Sequence, residues 1–354
     1  MAKILLFPFA LLYGMVVKIR NKFFDWNIIK STSFNRSVIC IGNLAVGGTG
    51  KTPHIEYLVR LLSQSKKVAT LSRGYKRKTK GFRFAEVTST ATEVGDEPLQ
   101  IKRKFPDVTV SVDTDRVNGI NMIIKEIPDV DIVLLDDAFQ HRRVKPGLSI
   151  LLTDYAKPYT QDYFMPYGRL RDGRIEMRRA DIIIVTKCPL NIKPIDMRVI
   201  TKDIAPLPYQ TVYFTSLKYG KPSPVFGSTN ISLAKDVDAI AFAGIASPMP
   251  FFTFLEENCN VVEKIAFPDH LFFNEKKIRS IFEKFSRLES KNKIIVTTEK
   301  DASRLLEIDL AKELLGDFLF YVPIEVNFFG DQKDVFNNQL IKYAGKNKGN
   351  YGIY

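Results

Sequence analysis

The chain has 354 residues, of which 45% are hydrophobic and 26% charged, and it carries 52 lysine and arginine residues against 39 acidic ones. A length suited to about two domains and an ordinary apolar content argue against intrinsic disorder. The net charge of +13 suits nucleic acid, an anionic membrane surface or an anionic substrate, and does not choose among them. Three scattered cysteines and only three histidines show neither a disulfide framework nor zinc-ligand spacing, which fits the reducing cytoplasm.

An apolar segment opens the chain, with a nearly unbroken hydrophobic run over residues 4–17. The run is shorter than the about 20 residues of a membrane-spanning helix, and no small-residue cleavage site of a secretory signal follows it. It continues into Lys18, Arg20 and Lys22, which lie close to aromatic residues, and apolar side chains recur every three or four positions. We therefore predict an amphipathic helix over about residues 3–24 that lies in a membrane surface. The alternative is a helix that packs on the protein's own core.

The sequence GNLAVGGTGKTP follows a short apolar strand at residues 38–41 and has the pattern of a phosphate-binding loop that leads into a helix. In such a loop, backbone N–H groups surround a polyphosphate, the lysine reaches the terminal phosphates and the threonine hydroxyl holds Mg²⁺. The strict pattern has a glycine six residues before the lysine, where this chain has Ala45, and a double glycine follows instead. The predicted nucleotide-binding residues are Ala45, Val46, Gly47, Gly48, Thr49, Gly50, Lys51 and Thr52.

Strands and helices alternate along most of the chain, and several strands are continuous apolar runs of the kind that is buried on both faces. This alternation predicts an α/β fold, a P-loop NTPase-like, doubly wound, mostly parallel sheet with a smaller C-terminal αβ domain joined by a two-stranded β linker. Proline-rich connections at residues 189–208 indicate a boundary. We predict a P-loop domain over residues 1–205, a β-hairpin linker over 206–230 and a C-terminal αβ domain over 231–354.

Acidic residues stand at two positions where they could carry chemistry. Asp96, in the sequence EVGDEP, precedes a predicted helix; it is a candidate catalytic residue, although an aspartate just before a proline is also typical of a helix start. Asp136 and Asp137 end an apolar strand, at the edge where open α/β sheets bind ligands. Together with Thr52, these two carboxylates are predicted Mg²⁺ ligands; the alternative is two acids that cap a turn.

Further candidates are basic. The sequence MPYGRLRDGR carries Arg169, Arg171 and Arg174 beside glycines, and is either an anion clamp or a basic solvated loop. In the second half of the chain, the sequence FPDHLFF places His270 next to Asp269 in a polar turn. If the two halves close on each other, an Asp–His pair would make a suitable base for a hydroxyl acceptor.

Six motifs follow one another along nearly the whole chain: GNLAVGGTGKTP, LSRGY, GDEP, DDAFQHRR, FPDH and TTEKDA. Together they resemble the tetraacyldisaccharide 4′-kinases, the lipid A 4′-kinases of Gram-negative bacteria. The resemblance implies transfer of the ATP γ-phosphate, with Mg²⁺, to the 4′-hydroxyl of tetraacyldisaccharide 1-phosphate at the cytoplasmic face of the inner membrane. An anionic glycolipid in a bilayer agrees with the basic chain and its N-terminal helix. We expect a monomer that binds no nucleic acid.

The resemblance also implies roles for single residues. Asp96 matches the family's catalytic acid, which is proposed to pair with the histidine of the FPDH motif, here His270. Lys51 would contact the β- and γ-phosphates, and Asp136 and Asp137 would serve the metal and the transferred phosphate. Candidate substrate-binding residues are Arg73, Glu97, Arg116, Arg169 and Arg171.

Some positions depart from the patterns of this and other families. Leu271 stands where the 4′-kinases usually have a second histidine, and Ala138 where they usually have a glycine. Partitioning and metal-delivery ATPases, the alternative interpretation, share Gly-Gly-x-Gly-Lys-Thr but have a lysine at the position of Val46. A guanine-specific switch would need an aspartate that TKCP lacks, and the core shows no basic-aromatic motif of a nucleic-acid motor.

Overall fold

Two β-sheets flanked by helices make up the fold, in a computed structural model that describes residues 5–229, 231–269 and 271–345. The strands of the described residues are β1 (Ser37–Asn43), β2 (Val68–Ser72), β3 (Arg83–Ala85), β4 (Thr109–Val112), β5 (Ile132–Asp136), β6 (Leu148–Asp154), β7 (Ile182–Thr186), β8 (Thr211–Tyr219), β9 (Ser223–Pro224), β10 (Asp238–Ala243), β11 (Asn260–Ala266), β12 (Lys293–Thr298), β13 (Leu319–Val322) and β14 (Ile324–Phe328). The α-helices are α1 (Phe7–Asp25), α2 (Lys51–Leu62), α3 (Ala91–Val94), α4 (Asp96–Lys104), α5 (Arg116–Glu126), α6 (Pro194–Ile204), α7 (Met249–Asn258), α8 (Glu275–Ser286), α9 (Glu299–Leu305), α10 (Asp309–Leu315) and α11 (Gln332–Gly345).

The larger sheet has nine strands in the order β14-β8-β7-β6-β1-β5-β2-β4-β3. All neighbouring strands are parallel except the two edge strands, β14 on β8 and β3 on β4. The central strands are buried along their length, as expected for apolar runs covered by helices on both faces. The predicted doubly wound, mostly parallel sheet is therefore confirmed. Because its strands are parallel, the residues that follow β1, β2, β5, β6 and β7 meet at one edge.

The smaller sheet has five strands in the order β11-β10-β12-β13-β9, which are parallel except for β9. Two apolar clusters, one on each face of this sheet, fill the space between the strands and their helices. This part of the chain therefore has its own hydrophobic core, as predicted for a smaller αβ domain.

The connection between the sheets differs from the hairpin predicted over residues 206–230. β8 pairs with β14, in a register that runs from Tyr219 opposite Ile324 to Thr215 opposite Phe328, whereas β9 belongs to the smaller sheet. Helix α11 then packs on the larger sheet, where Phe336 and Leu340 join its core. We call residues 5–219 and 324–345 the first domain and the described residues of 220–323 the second domain. The sequence predicts residues 324–345 as part of the C-terminal domain. Alternating apolar residues indicate that a strand exists, but they do not indicate with which distant strand it pairs.

Helix α1 covers Phe7–Asp25, and residues 3 and 4 of the predicted helix lie outside the described residues. Its narrow inner face packs closely: a Cβ on Gly14 would lie 2.6 Å from a ring carbon of Phe164. Asn21 is buried and donates a hydrogen bond of 2.6 Å to Asp172. The wide outer face exposes large apolar side chains, namely Phe7, Phe9, Leu11, Leu12, Met15, Val16, Ile19 and Phe23. The helix therefore packs on the core through one face and exposes apolar side chains on the other, and its place in a membrane surface stays a prediction.

Within the described residues, no helix combines the length and apolar character that crossing a bilayer would require.

Candidate active site

The phosphate loop joins the end of β1 to the start of α2. Gly47 and Gly50 have φ angles of 111° and 80°, in the left-handed region that favours glycine. A Cβ built on Gly47 or Gly48 would have no other described atom within 4 Å, so this part of the loop faces open space. Thr49 Oγ1 is buried and lacks a hydrogen-bond partner among the described residues. A loop of this shape, before the N-terminus of a helix, is suited to hold an anion.

Two residues of the TKCP sequence, for which the sequence predicted no role at this site, contact the loop. Thr186, at the end of β7, donates a hydrogen bond of 2.9 Å to the Thr49 carbonyl, and the Lys187 ammonium donates one to the Gly48 carbonyl. Lys187 also pairs with Asp154 at 3.0 Å. These contacts fix the backbone of the phosphate loop at Gly48 and Thr49. The TKCP sequence lacks the pattern of a guanine-specific switch, but it supports the phosphate loop.

A buried histidine supports the start of α2 in the same way. His54 Nδ1 lies 2.7 Å from the Gly50 carbonyl, which can only accept, so Nδ1 carries the proton. Nε2 then accepts from the Thr215 hydroxyl at 3.1 Å. Burial lowers the pKa of His54 to about 4, so the imidazole is neutral at physiological pH and acts as a fixed link between the loop and β8.

Asp136 and Asp137 lie beside the phosphate loop, and their carboxyl groups differ in pKa and in hydrogen-bond partners. Asp136 is 2% exposed, and its Oδ1 has no hydrogen-bond partner among the described residues. Burial, and then the charges of Glu97 and Asp137, raise the pKa of Asp136 to about 7. Burial would also raise the pKa of Asp137, but its hydrogen bonds with Arg171 and the charge of Lys51 outweigh burial and lower it to about 2. The site therefore contains one ionised, paired carboxylate and one buried carboxylate whose oxygen is open to a cation.

Asp137 holds the two nearest cations in place. The Arg171 guanidinium donates two hydrogen bonds to it, at 2.7 and 3.1 Å, and a third to the Asn43 side chain. Lys51 Nζ lies 3.8 Å from Asp137 Oδ1. Lys51 and Arg171 thereby converge at the mouth of the phosphate loop, where positive charge would meet a bound anion.

The donor set fits a magnesium–nucleotide site. Mg²⁺ prefers hard oxygen ligands and takes one or two carboxylates together with phosphate oxygens and water. The open Oδ1 of Asp136 and the hydroxyl of Thr52, at the start of α2, are oxygens of this kind. No group of three or more His, Cys, Asp or Glu side chains in the described part of the chain could hold a metal ion alone, so the remaining ligands would have to come from the nucleotide and from water.

Asp96 lies at the contact between the two domains. It is the first residue of α4, and its Oδ2 accepts hydrogen bonds of 3.0 and 2.6 Å from the guanidinium of Arg304, on α9 of the second domain. His270 lies outside the described residues, but its neighbours Leu271 and Phe272 line a small cavity together with Asp96 and Arg304. Lys300 lies 3.7 Å from Glu97 and 3.8 Å from Asp269, so Asp269 of the FPDH motif and Glu97 of the GDEP motif approach the same ammonium at the domain contact.

Comparison with known proteins identifies the family. The sequence matches the family model for tetraacyldisaccharide-1-P 4′-kinase over residues 2–344. The tetraacyldisaccharide 4′-kinase of Bacteroides thetaiotaomicron is 48% identical to it, over 98% of this chain and 94% of the relative. The chain belongs to the tetraacyldisaccharide-1-P 4′-kinase family. The relative from Flavobacterium johnsoniae is 43% identical over 97% of both chains.

A solved structure carries the same fold. LpxK from Aquifex aeolicus, in complex with ATP, superposes with a TM-score of 0.77 at 26% identity and covers 97% of this chain and 99% of that one. The family predicted from the six ordered motifs is thus confirmed, and the chain is a kinase rather than an ATPase of the partitioning or metal-delivery type.

The remaining predicted residues of this 4′-kinase family member do not all converge on the loop. The Arg169 side chain pairs with Asp162 at 2.7 Å, and only its backbone carbonyl contacts the loop, through the Val46 N–H at 2.8 Å. Glu97 lies 3.7 Å from Lys300 of the second domain and near Asp136. Arg174, the third arginine of the predicted anion clamp, donates to the Asp162 carbonyl. Of the three, only Arg171 has its guanidinium on Asp137 beside the phosphate loop, and its binding of an anion stays a prediction.

Arg116 lies near the carboxylates of Asp136 and Asp137 and near Arg73. Arg116 is buried, its pKa is lowered to about 10 by burial, and its Nε and one terminal nitrogen have no partner among the described residues. Arg73 is exposed, and its charge contributes to lowering the pKa of Arg116. Both remain candidate substrate contacts.

Proposed function

We propose that the protein transfers the γ-phosphate of ATP to the 4′-hydroxyl of tetraacyldisaccharide 1-phosphate in lipid A biosynthesis. One observation carries the proposal: in a chain that belongs to the 4′-kinase family over residues 2–344, Asp96 lies at the contact between the two domains, bound by Arg304. Glu97, the residue after Asp96, is near enough to the buried Asp136 to raise its pKa. This proximity supports a position of the candidate base close to the phosphate site.

The roles follow from the chemistry of phosphoryl transfer. The hydroxyl oxygen attacks the γ-phosphorus, the bond between the γ-phosphorus and the bridging oxygen breaks, and ADP leaves. Asp96, with His270 as its partner, accepts the hydroxyl proton as the oxygen–phosphorus bond forms. The Arg304 guanidinium of the second domain fixes the Asp96 carboxylate through Oδ2, which holds the base at the domain contact.

Charge stabilisation comes from the loop and its cations. The phosphate loop over residues 45–52 binds the phosphates of ATP through backbone N–H groups that the loop's own contacts do not use, and Lys51 and Arg171, both held by Asp137, oppose the charge that builds on the transferred group. When bound, Mg²⁺ supplies positive charge that neutralises the β- and γ-phosphates. Asp136 and Thr52 would hold it.

The direct test is transfer of label from γ-labelled ATP to tetraacyldisaccharide 1-phosphate in detergent micelles. We expect a labelled lipid, and an ATP consumption rate that rises strongly when the lipid is added. Folded protein that binds ATP and yields no labelled lipid would remove the assignment.

The outer face of α1 supports a position on the cytoplasmic surface of the inner membrane. Its exposed apolar side chains lie next to Lys18 and Lys22, which suit an anionic lipid surface. Deleting the helix would be a poor test, because Asn21 and Phe24 are part of the packed structure.

Replacing Leu12 and Val16 with serine is therefore a cleaner experiment. Both side chains are 58% exposed, so the fold should lose little stability. Transfer of two such side chains into a bilayer contributes about 3 kcal/mol, and we expect association with anionic vesicles, measured by sedimentation, to weaken about 100-fold. The matched control replaces Val335 and Ile341 on α11, which are similarly exposed, and should bind vesicles as the wild type does. Equal binding by both double variants would contradict a membrane role for α1.

A further inference from the structure

Lys104 joins three elements of the molecule. It is the last residue of α4, and its ammonium donates hydrogen bonds of 2.6 Å to Glu56 and 2.9 Å to Glu299. Glu56 lies on α2, one turn after Thr52 of the phosphate loop. Glu299 is the first residue of α9, in the second domain. One lysine thus connects the helix of the phosphate loop, the helix of Asp96 and the other domain.

The electrostatics make this lysine necessary to the contact. Glu56 is 3% exposed, and its second oxygen accepts a hydrogen bond of 2.7 Å from Gln100, also on α4. Burial, and then the charge of Glu299, raise the pKa of Glu56 to about 7, while Lys104 lowers it. Without the ammonium, two carboxylates from different domains would face each other in a region of little solvent, where an unpaired charge is costly.

The same pair of helices holds Asp96. At the other end of α4, Asp96 is bound by Arg304 of α9. Between the ends, the Arg103 guanidinium donates to the Ser303 carbonyl and lies 3.7 Å from Glu307. Helix α4 is therefore attached to α9 along its length, and a separation that begins at Glu299 would move the Arg304 side of the Asp96 contact.

We propose that Lys104 is a positioning residue: by binding Glu56 and Glu299 together, it keeps the second domain against the helix of the phosphate loop and Asp96 in reach of the phosphate site. The part that concerns catalysis rests on the proposed kinase function. The part that concerns the domain contact does not.

The first experiment measures the domain contact without using activity. The three cysteines are buried, so spin labels can be placed on cysteines introduced at the exposed Ile195, in the first domain, and Val262, in the second. We expect Lys104→Met to lengthen and broaden the distance distribution between the labels. Lys104→Arg keeps the charge and should retain the wild-type distribution, as should Lys102→Met, because Lys102 donates to the Pro106 carbonyl within the first domain.

Kinetics supply the second measurement. Lys104→Met should lower kcat at least about 10-fold, equivalent to about 1.4 kcal/mol, with the KM for ATP within a few-fold of the wild type, since the loop itself is unchanged. Adding Glu299→Gln to Lys104→Met removes the repulsion and should recover part of both the distance distribution and kcat. Should Lys104→Met fold poorly, Glu299→Gln alone leaves the Glu56–Lys104 pair intact and should open the contact in the same direction.

An unchanged label distance in both Lys104→Met and Glu299→Gln overturns the proposal. An opened contact with unchanged kcat overturns the positioning role. If the wild-type protein phosphorylates no lipid but the contact still opens in Lys104→Met, the proposed function has failed and the domain contact stands.

Discussion

Asp96→Asn is expected to lower kcat for the glycolipid at least about 100-fold, the scale for losing a general base, while ATP binding stays within a few-fold of the wild type. Asparagine keeps the size of the side chain and an oxygen that can accept from Arg304, but it cannot take the hydroxyl proton. Steady-state transfer of label to the lipid and titration with a fluorescent ATP analogue measure the two quantities separately.

The competing explanation is that Asp96 acts only through its ion pair with Arg304, since that pair connects the domains. Arg304→Gln separates the two explanations, because it breaks the pair and leaves the carboxylate in place. If Asp96 is the base, Arg304→Gln should lower kcat for the glycolipid clearly less than Asp96→Asn does. Equal losses in the two variants, or a collapse of ATP binding in Asp96→Asn, would make Asp96 a structural residue.

The parts of the site that the sequence predicts are those built from residues close together in the chain. The strand, the loop from Ala45 to Thr52 and the following helix are contiguous, so their residue types report one local geometry. The position of Asp136 and Asp137 could also be predicted, because a parallel sheet brings the ends of its strands to one edge. In the structure, Asp136 lies opposite Ile41 of β1.

The sequence does not predict contacts between residues that are far apart in the chain. Asp96 and Arg304 are 208 positions apart, and nothing in either local sequence names the other. The same holds for Lys187 beneath the Gly48 carbonyl and for β14 beside β8. An arginine or lysine in a helix is usually solvated. The contacts of Arg304 and Lys104 therefore distinguish them from the other cations of this basic chain only in the structure.

The ambiguity of α1 has a physical cause as well. A helix with small residues such as Gly14 on one face and large apolar residues on the others satisfies the pattern of a packed helix and that of a membrane-surface helix at once. The structure shows which face of α1 is covered by the protein. The vesicle experiment tests whether the exposed face binds a membrane.

Asp136→Asn is the second change for which we expect a large effect. The two adjacent carboxylates predict different outcomes, because Asp136 has the open oxygen and Asp137 is occupied by Arg171 and Lys51. Asp136→Asn should lower the transfer rate by about 10²–10³ and raise the Mg²⁺ concentration for half-maximal rate at least about 10-fold. Asp137→Asn should instead raise the KM for ATP, since it releases the two cations, and change the Mg²⁺ requirement less. Binding of Mn²⁺ with a non-hydrolysable ATP analogue, followed by electron paramagnetic resonance, checks the metal requirement apart from turnover.

The stability of the ligand-free protein gives an independent check on Asp136. Its folded pKa of about 7 lies above the ordinary value of 3.8, so the folded state holds a proton that the unfolded state has lost at intermediate pH. The wild type should therefore lose stability as pH rises from about 4 to about 7. Asp136→Asn has no carboxyl group at this position and so lacks this loss of stability. Its thermal unfolding midpoint should therefore exceed that of the wild type at pH 8, and the difference should shrink as pH falls below 7. A variant that is inactive yet more stable is what a carboxylate kept buried for a cation predicts. A lower midpoint for Asp136→Asn at pH 8 would show that the carboxylate stabilises the fold, and it would count against Asp136 as the metal-binding member of the pair.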